Sequence, residues 1–212
     1  PSLMASYAAK IAMKGSNFVN AHGLSAPVPV ATAHDLARLG QALIRDFPET
    51  YAFNKIKEFT VGTITQPNRN LLLWRDPAVD GIKTGHHSGA GYCLMSSAMR
   101  GDQRLIAVVM GSTSEKQRAD DSMALLNWGF RFFETHRLYE AGKAIAQQRV
   151  WKGTTKEVQL GVAEPLLVGV PRGRYGDLKP TMDVPKMLVA PITKGQAIGT
   201  VKVTLDGKLV AQ

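Results

Sequence analysis

Hydrophobic positions in this chain recur at helical spacing in three stretches and in short strand-like runs over much of the rest. Leu3, Met4, Tyr7, Ala8 and Ile11 fall three or four residues apart, so residues 3–14 are predicted to form a helix that ends at Gly15-Ser16-Asn17. Next come Asn20-Ala21-His22-Gly23-Leu24 and a loop containing Pro27 and Pro29. Leu36, Leu39, Leu43 and Ile44 form the second helical stripe; Thr32 is its predicted N-cap, Asp35 favours its N-terminus, and Pro48 ends it. Ala119, Met123, Leu126, Phe130 and Phe133 mark a longer helix over 115–134.

The strand signals lie between and after these helices. Residues 58–66 read as a strand or hairpin, followed by a loop at Gln66-Pro67-Asn68-Arg69-Asn70. A strand is predicted over 79–85, then two more over 91–99 and 104–111, joined by the turn Arg100-Gly101-Asp102-Gln103. Near residue 135 the pattern changes to short β-like runs at 158–162, 165–170, 187–192 and 197–205, separated by Gly and Pro. The expectation is an α/β (α+β) domain over 1–134, followed by a small all-β domain of sandwich type over 135–212.

A chain of 212 residues can bury a sizeable core, and 44% hydrophobic with 20% charged residues is an ordinary globular composition. No apolar run reaches the roughly 18 residues of a membrane-spanning helix. The opening Pro1-Ser2-Leu3 has no basic or apolar leader pattern, so any export signal is expected to have been removed or left out. Cys93 is the single cysteine, which rules out a disulfide within the chain; its neighbours Tyr92, Leu94 and Met95 predict a buried small hydrophobe. The net charge of +9 favours anionic partners. Residues 137–208 hold twelve Lys/Arg against six Asp/Glu, a net of about +6. The cations are nevertheless dispersed, with no Lys/Arg run, zinc-finger spacing or aromatic RNA-binding signature, so nucleic acid is not an expected partner.

The segment that changes the picture is Val79-Asp80-Gly81-Ile82-Lys83-Thr84-Gly85-His86. On a strand, Lys83 and Thr84 face opposite ways, because side chains alternate. Gly85, without a Cβ, allows a ligand close to the backbone. An edge strand can pair with an extended peptide and can lend a backbone N–H to an oxyanion. Metal binding is not expected: His86 and His87 are adjacent, their side chains diverge, and no carboxylate pattern accompanies them. No glycine-rich phosphate loop is present.

Asp80 to His86 and Ala90-Gly91-Tyr92 resemble the third motif of the D-alanyl-D-alanine carboxypeptidases, the low-molecular-mass penicillin-binding proteins of the penicillin-binding protein 5/6 type. His22-Gly23-Leu24, residues 40–46, Lys57-Glu58-Phe59-Thr60, Asn68-Arg69-Asn70, Leu72-Leu73-Trp74, residues 128–134, residues 171–174 and Leu205-Asp206-Gly207-Lys208 extend the resemblance over nearly the whole chain. It implies a penicillin-binding, β-lactamase-like transpeptidase fold that is incomplete in this chain. The implied activity is removal of the terminal D-alanine from a peptidoglycan pentapeptide through a serine acyl-enzyme, with no cofactor and with acylation by β-lactams. The implied location is the periplasm, peripheral to the inner membrane, although the chain stops at Gln212 without an amphipathic anchor. The basic β-domain could face an anionic membrane surface.

Carried over, Lys83, Thr84 and Gly85 form the catalytic strand and His86 supplies backbone beside the oxyanion region. Arg118 matches the carboxylate-binding arginine, a task suited to its planar fork. His22 is expected to fix a loop and Asp46 to orient nearby groups. Two of the three family motifs do not occur. Ser6 is followed by Lys10 four residues on, not three, and there is no Ser-x-Asn element. On a helix the three-residue spacing puts lysine beside the serine hydroxyl, where it can take the proton. The nucleophile is therefore expected in a segment outside this chain. The alternative is a binding or scaffold module without turnover; a related β-lactamase is disfavoured by the attached β-domain.

Overall fold

A computed structural model describes residues 2–21 and 30–212. His22-Gly23-Leu24 and the prolines at 27 and 29 lie outside the described residues. The chain divides into two compact units, residues 1–130 and 131–212.

In the first unit the helices are α1 (Ser2–Lys10), α2 (Ala33–Asp46), α3 (Pro48–Tyr51), α4 (Leu72–Arg75) and α5 (Glu115–Phe132), the last ending just past the boundary. Its strands are β1 (Glu58–Val61), β2 (Ile64–Pro67), β3 (Val79–His87), β4 (Gly91–Arg100) and β5 (Gln103–Ser112). β1 and β2 form a hairpin that reaches into the predicted loop as far as Pro67, and β3, β4 and β5 form an antiparallel meander with β3 at one edge.

The predicted first helix stops early, at Lys10, because the backbone turns left-handed at Ala12 (φ 61°). The predicted N-cap is present: the Thr32 hydroxyl accepts the Asp35 N–H at 3.1 Å. Asp35 is buried and does more than favour a helix end. Its carboxylate accepts the Gly15 N–H at 2.7 Å and the Ser16 hydroxyl at 2.8 Å, tying the segment after α1 to α2. Burial pushes this carboxyl up, but the bonds from Ser16, Gly15, Lys14 and Thr32 outweigh it and hold it below the usual range. Pro48 follows the end of α2 and also begins α3, a use of proline at the first helical position.

The meander is packed on both faces, and strand alternation sorts its residues. On one face Leu94, Ala98 and Ala107 form a buried cluster with Ala119, Leu126 and Phe130 of α5 and with Leu72, Leu73 and Val79. A methyl at Gly129 would stand 2.6 Å from Leu105 Cδ1, so this glycine lets α5 settle close to β5. On the other face Gly40 of α2 sits against Met95 and Ile106. Phe133, predicted on the last turn of the long helix, instead begins the next strand. Arg100 fastens the far end of β4: it bonds Asp76 at 2.7 Å and Asn127 at 3.2 Å and lies 4.3 Å over the Phe130 ring.

The second unit is all-β, as expected, with a single 3-10 turn at Tyr175–Asp177. Its strands are β6 (Phe133–Tyr139), β7 (Ala144–Trp151), β8 (Glu157–Gly161), β9 (Leu166–Pro171), β10 (Lys179–Asp183), β11 (Leu188–Val189), β12 (Thr200–Leu205) and β13 (Lys208–Ala211). They form three small sheets in the orders β6-β9, β11-β7-β8 and β10-β12-β13, around buried Val150, Val168, Val170, Leu188 and Val203. β6, β7, β10 and β13 carry too little apolar alternation to stand out in the sequence.

The entry into β3 is set by Asn70, which is 1% exposed. Its amide donates to the Gly81 carbonyl at 2.9 Å and its oxygen accepts the Leu72 N–H at 3.2 Å, while its own N–H bonds Asn68. Asn70→Ala would leave a buried carbonyl and a buried N–H without partners. It is expected to lower stability by about 2–4 kcal/mol, read as an earlier midpoint in urea at an unchanged slope.

Candidate active site

The site is organised along the edge strand β3. Beside the Asn70 bond to Gly81, a second polar cluster holds Asp80. Its carboxylate accepts the Tyr51 hydroxyl at 2.6 Å and the Arg104 guanidinium at 2.7 and 3.0 Å, and the same Arg104 nitrogen reaches the Ser97 hydroxyl at 2.7 Å. Tyr51 is buried, and a methyl at Gly81 would meet its hydroxyl at 2.9 Å, so the ring lies directly against the strand. β3 is thus fixed to the helical turns before it and to β4 and β5 beside it at one end, ahead of Lys83.

Register then decides which way each motif residue faces. Lys83 stands opposite Met95, Thr84 opposite Leu94, Gly85 opposite Cys93 and His86 opposite Tyr92. Thr84 and His86 therefore share the face on which α5 packs, and Lys83 and Gly85 lie on the other. Lys83 is exposed, and its ammonium donates to the Thr84 carbonyl at 2.5 Å. At Gly85 an added methyl would meet only Cys93 Cβ, at 3.9 Å. Nothing among the described residues requires a glycine there, whereas an approaching ligand backbone would. Cys93 is half-buried rather than buried, with its thiol 3.4 Å from the Ala90 carbonyl.

His86 and Arg118 meet through Tyr92, which the sequence reading placed in the motif without giving it a role. The Tyr92 ring stacks on His86 with centroids 3.9 Å apart and planes at 29°, and the Arg118 guanidinium lies 5.7 Å from the Tyr92 centroid. The Arg118 side chain is 3% exposed; it donates to the Arg69 carbonyl at 3.3 Å and stands 3.9 Å from Glu115. A nearly buried guanidinium held by one neutral carbonyl and one distant carboxylate keeps donor capacity for an anion. The signal that could have found it is pairing of the two predicted strands across a turn at 88–90, which places residue 92 opposite residue 86. Gly91, just before Tyr92, needs to be glycine: its φ is +65° and a methyl would lie 2.9 Å from the Ser112 carbonyl.

The other sequence candidates lie apart or out of view. Asp46, at the end of α2, is engaged by its neighbour Arg45 at 2.6 and 2.9 Å and by the Tyr7 hydroxyl at 3.3 Å. The bond from Arg45 is the main reason its carboxyl sits below the usual range. His22 is outside the described residues, and among those described no three His, Cys, Asp or Glu side chains gather as a metal site.

The cluster at Asp80 can be read by titration. Burial, then the bond to the Asp80 carboxylate, pushes the Tyr51 phenol well above its ordinary value, against smaller opposing effects of Ser97 and Arg104. A phenol whose folded value is raised stabilises the fold fully below its unfolded value, near pH 10. That stability is lost as pH rises through and above it. Absorbance titration near the phenolate band is expected to show Tyr51 ionising last or only on unfolding, and Tyr51→Phe to abolish that late step.

Comparison with known proteins accounts for this arrangement. Residues 2–114 match the peptidase S11 family model, described as D-alanyl-D-alanine carboxypeptidase, and residues 133–212 match the model described as penicillin-binding protein 5, C-terminal domain. The D-alanyl-D-alanine carboxypeptidase DacC of Escherichia coli K12 is 47% identical over 212 residues, which are 99% of this chain and 53% of the relative. The structure of penicillin binding protein 5 from Haemophilus influenzae matches with a TM-score of 0.81 at 44% identity, covering 99% of this chain and 62% of that one. Penicillin-binding protein D2 of Listeria monocytogenes, in its cefotaxime-bound form, matches with a TM-score of 0.58 at 32% identity, over 61% of this chain and 54% of that one. The chain spans about half the length of the curated relatives it matches. The chain therefore belongs to the D-alanyl-D-alanine carboxypeptidase family, peptidase S11.

Proposed function

We propose that this chain is the part of a serine-type D-Ala-D-Ala carboxypeptidase that receives the substrate. In this reading the whole protein removes the terminal D-alanine from peptidoglycan stem peptides through an acyl-enzyme, and does so in the periplasm, where that polymer lies. The observation that carries the proposal is the edge strand Lys83-Thr84-Gly85-His86, open at Gly85, with Arg118 nearly buried behind the Tyr92 that stacks on His86. An extended D-Ala-D-Ala end can lie along β3 by backbone hydrogen bonds. Its terminal carboxylate then meets Thr84 and the Arg118 guanidinium, and its scissile carbonyl is polarised by backbone N–H at the strand end. Lys83 supplies a positive charge for the proton network of acyl transfer. The serine that attacks, and the base that deprotonates it, belong to a Ser-x-x-Lys element that residues 1–212 do not contain. A β-lactam enters the same way as a mimic of the D-Ala-D-Ala end, consistent with the cefotaxime held by the Listeria relative.

The direct test is covalent labelling with a fluorescent penicillin, read on a denaturing gel against mass. A label on a polypeptide that includes residues 1–212 together with an upstream Ser-x-x-Lys is the expected result. Lys83→Ala is expected to slow that labelling at least about 100-fold, in the range of a lost proton-transfer partner. A folded, longer protein that takes no label would overturn the enzymatic reading and leave a binding or scaffold module.

Tyr92 gives a second test. Tyr92→Ala removes both the His86 stack and the ring beside Arg118. Labelling by carboxylate-bearing penicillins is expected to fall about tenfold, while Tyr92→Phe retains most of it, because the ring face and not the hydroxyl makes both contacts. Equal losses in the two variants would show that Tyr92 acts through its hydroxyl instead.

A further inference from the structure

The last residues of β5 leave the regular ladder. The two steps on β4 from Leu94 back to Tyr92 are matched by three on β5, from Val109 to Ser112, so β5 carries one extra residue. Gly111 lies in that stretch with φ +78°, a left-handed conformation that glycine adopts without a Cβ penalty. The bulge decides which side chain turns toward α5. In a regular ladder Gly111 would stand opposite Tyr92, and Ser112 would point to the other face of the meander. With the extra residue it is Ser112 that stands opposite Tyr92, buried on the face where α5 packs.

There the Ser112 hydroxyl reaches the helix. It donates to one Asp121 carboxylate oxygen at 3.1 Å, and the other oxygen accepts the Gln117 amide at 2.6 Å. Ser114 caps the start of the same helix: its hydroxyl accepts the Gln117 N–H and its carbonyl the Arg118 N–H, both at 3.0 Å. Arg118 is therefore flanked by the cap at Ser114, two residues past β5, and by the Ser112–Asp121 bond one turn on. Ser112 pairs with Tyr92 across the sheet and is bonded to the helix that carries Arg118. A single serine thus connects the two partners of the ring contact.

We infer that Asp121 is a positioning residue for recognition of the substrate carboxylate, acting on Arg118 through Ser112. Ala119, Leu126 and Phe130 press α5 onto the sheet, but apolar burial is non-directional and leaves the helix free to slide and rotate by small amounts. A hydrogen bond between two fixed side chains removes that freedom at the end of α5 nearest the site. It holds the Arg118 guanidinium behind Tyr92, 5.7 Å from the ring centroid. Among the described residues Asp121 forms no ion pair with Arg118, whose carboxylate neighbour is Glu115 at 3.9 Å, so the effect runs through geometry and not through charge. The inference rests on the carboxypeptidase reading, in which Arg118 receives the terminal carboxylate.

The test compares acylation by a penicillin and by its methyl ester, which lacks the carboxylate, on the longer protein that includes residues 1–212. The unaltered protein is expected to prefer the acid. Asp121→Ala and Ser112→Ala are each expected to lower that preference about tenfold, the scale of a small misplacement of a binding group. The loss is expected in binding before acylation, with the acylation step itself little changed. The double variant is expected to lose no more than the worse single one, because both act through one bond. Asp121→Asn keeps an oxygen for the Ser112 hydroxyl and is expected to retain most of the preference. Asp120→Ala, which removes the pairs with Lys116 and Arg75 from the same helix, is expected to change the preference about twofold or less. A variant that merely loosened the fold would slow acid and ester alike. Equal slowing of both compounds, an unchanged preference in Asp121→Ala and Ser112→Ala, additive losses, or an Asp121→Asn loss as large as that of Asp121→Ala overturns the inference alone. An unaltered protein that is not acylated, or that takes acid and ester equally, overturns the reading of Arg118 and the inference with it.

Discussion

The feature on which the rest depends is the register of β3 against β4. Side chains on a strand alternate, so a slip of one residue would exchange the faces of Lys83 and Thr84 and take His86 away from Tyr92. Backbone ladders alone do not forbid such a slip. What forbids it is a pair of polar attachments one residue apart: Asp80 through Tyr51 and Arg104, and the Gly81 carbonyl through Asn70. Asn70 and Tyr51 are buried, and there an unmade hydrogen bond costs more than a made one contributes. A shifted strand would leave several groups unpaired at once. The attachments stand before Lys83, so the strand is fixed without its working edge being used up.

Packing supports the same arrangement from both faces. α2 approaches one side of the meander at Gly40 and α5 the other at Gly129, and in each case a methyl in place of hydrogen would collide with a sheet side chain. α5 has two tasks. Ala119, Leu126 and Phe130 enter the core, and Arg118, one position away from Ala119, is held under Tyr92. The guanidinium is therefore positioned by the same burial that stabilises the unit. A substitution that loosens α5 would act on the site without touching it.

Much of this was legible in the sequence where one physical signal governed the outcome. The apolar period of α2, its N-cap Thr32, the β4–β5 turn and the strand that carries Lys83 to His86 depend on residues near one another in the chain. Elements set by distant partners were not legible. Asn70 reads as a loop residue until Gly81 is known to lie beside it, and Asp80 reads only as a residue of the predicted strand until Arg104 and Tyr51 arrive from 24 and 29 residues away. α3 and α4 are four residues each, too short for a periodic signal. In the second unit, β6 carries Glu134, His136 and Arg137, and β13 exposes Leu209 and Val210, so neither shows a clean alternation between apolar and polar.

Charge illustrates the same division between what a sequence states and what a fold adds. A net charge of +9 gives the sign of a favoured partner but not the place where it would bind, and along the chain the cations look evenly spread. Folding sorts them. Arg174 bridges Asp177 and Asp206, and Arg100 reaches back to Asp76, each cancelling a charge that sequence counting had left free. An exposed pair of this kind contributes little to stability in water. Its larger consequence is to remove both ions from the outward field, so that the unpaired cations set the local potential. Where some of those cations fall is then decided by strand pairing, which brings residues 149, 152, 156 and 186 to one end of a sheet although they span 38 positions of the chain, while Lys179 and Lys208 stay exposed on another sheet. Composition fixes how much charge is left over, and topology fixes where it acts.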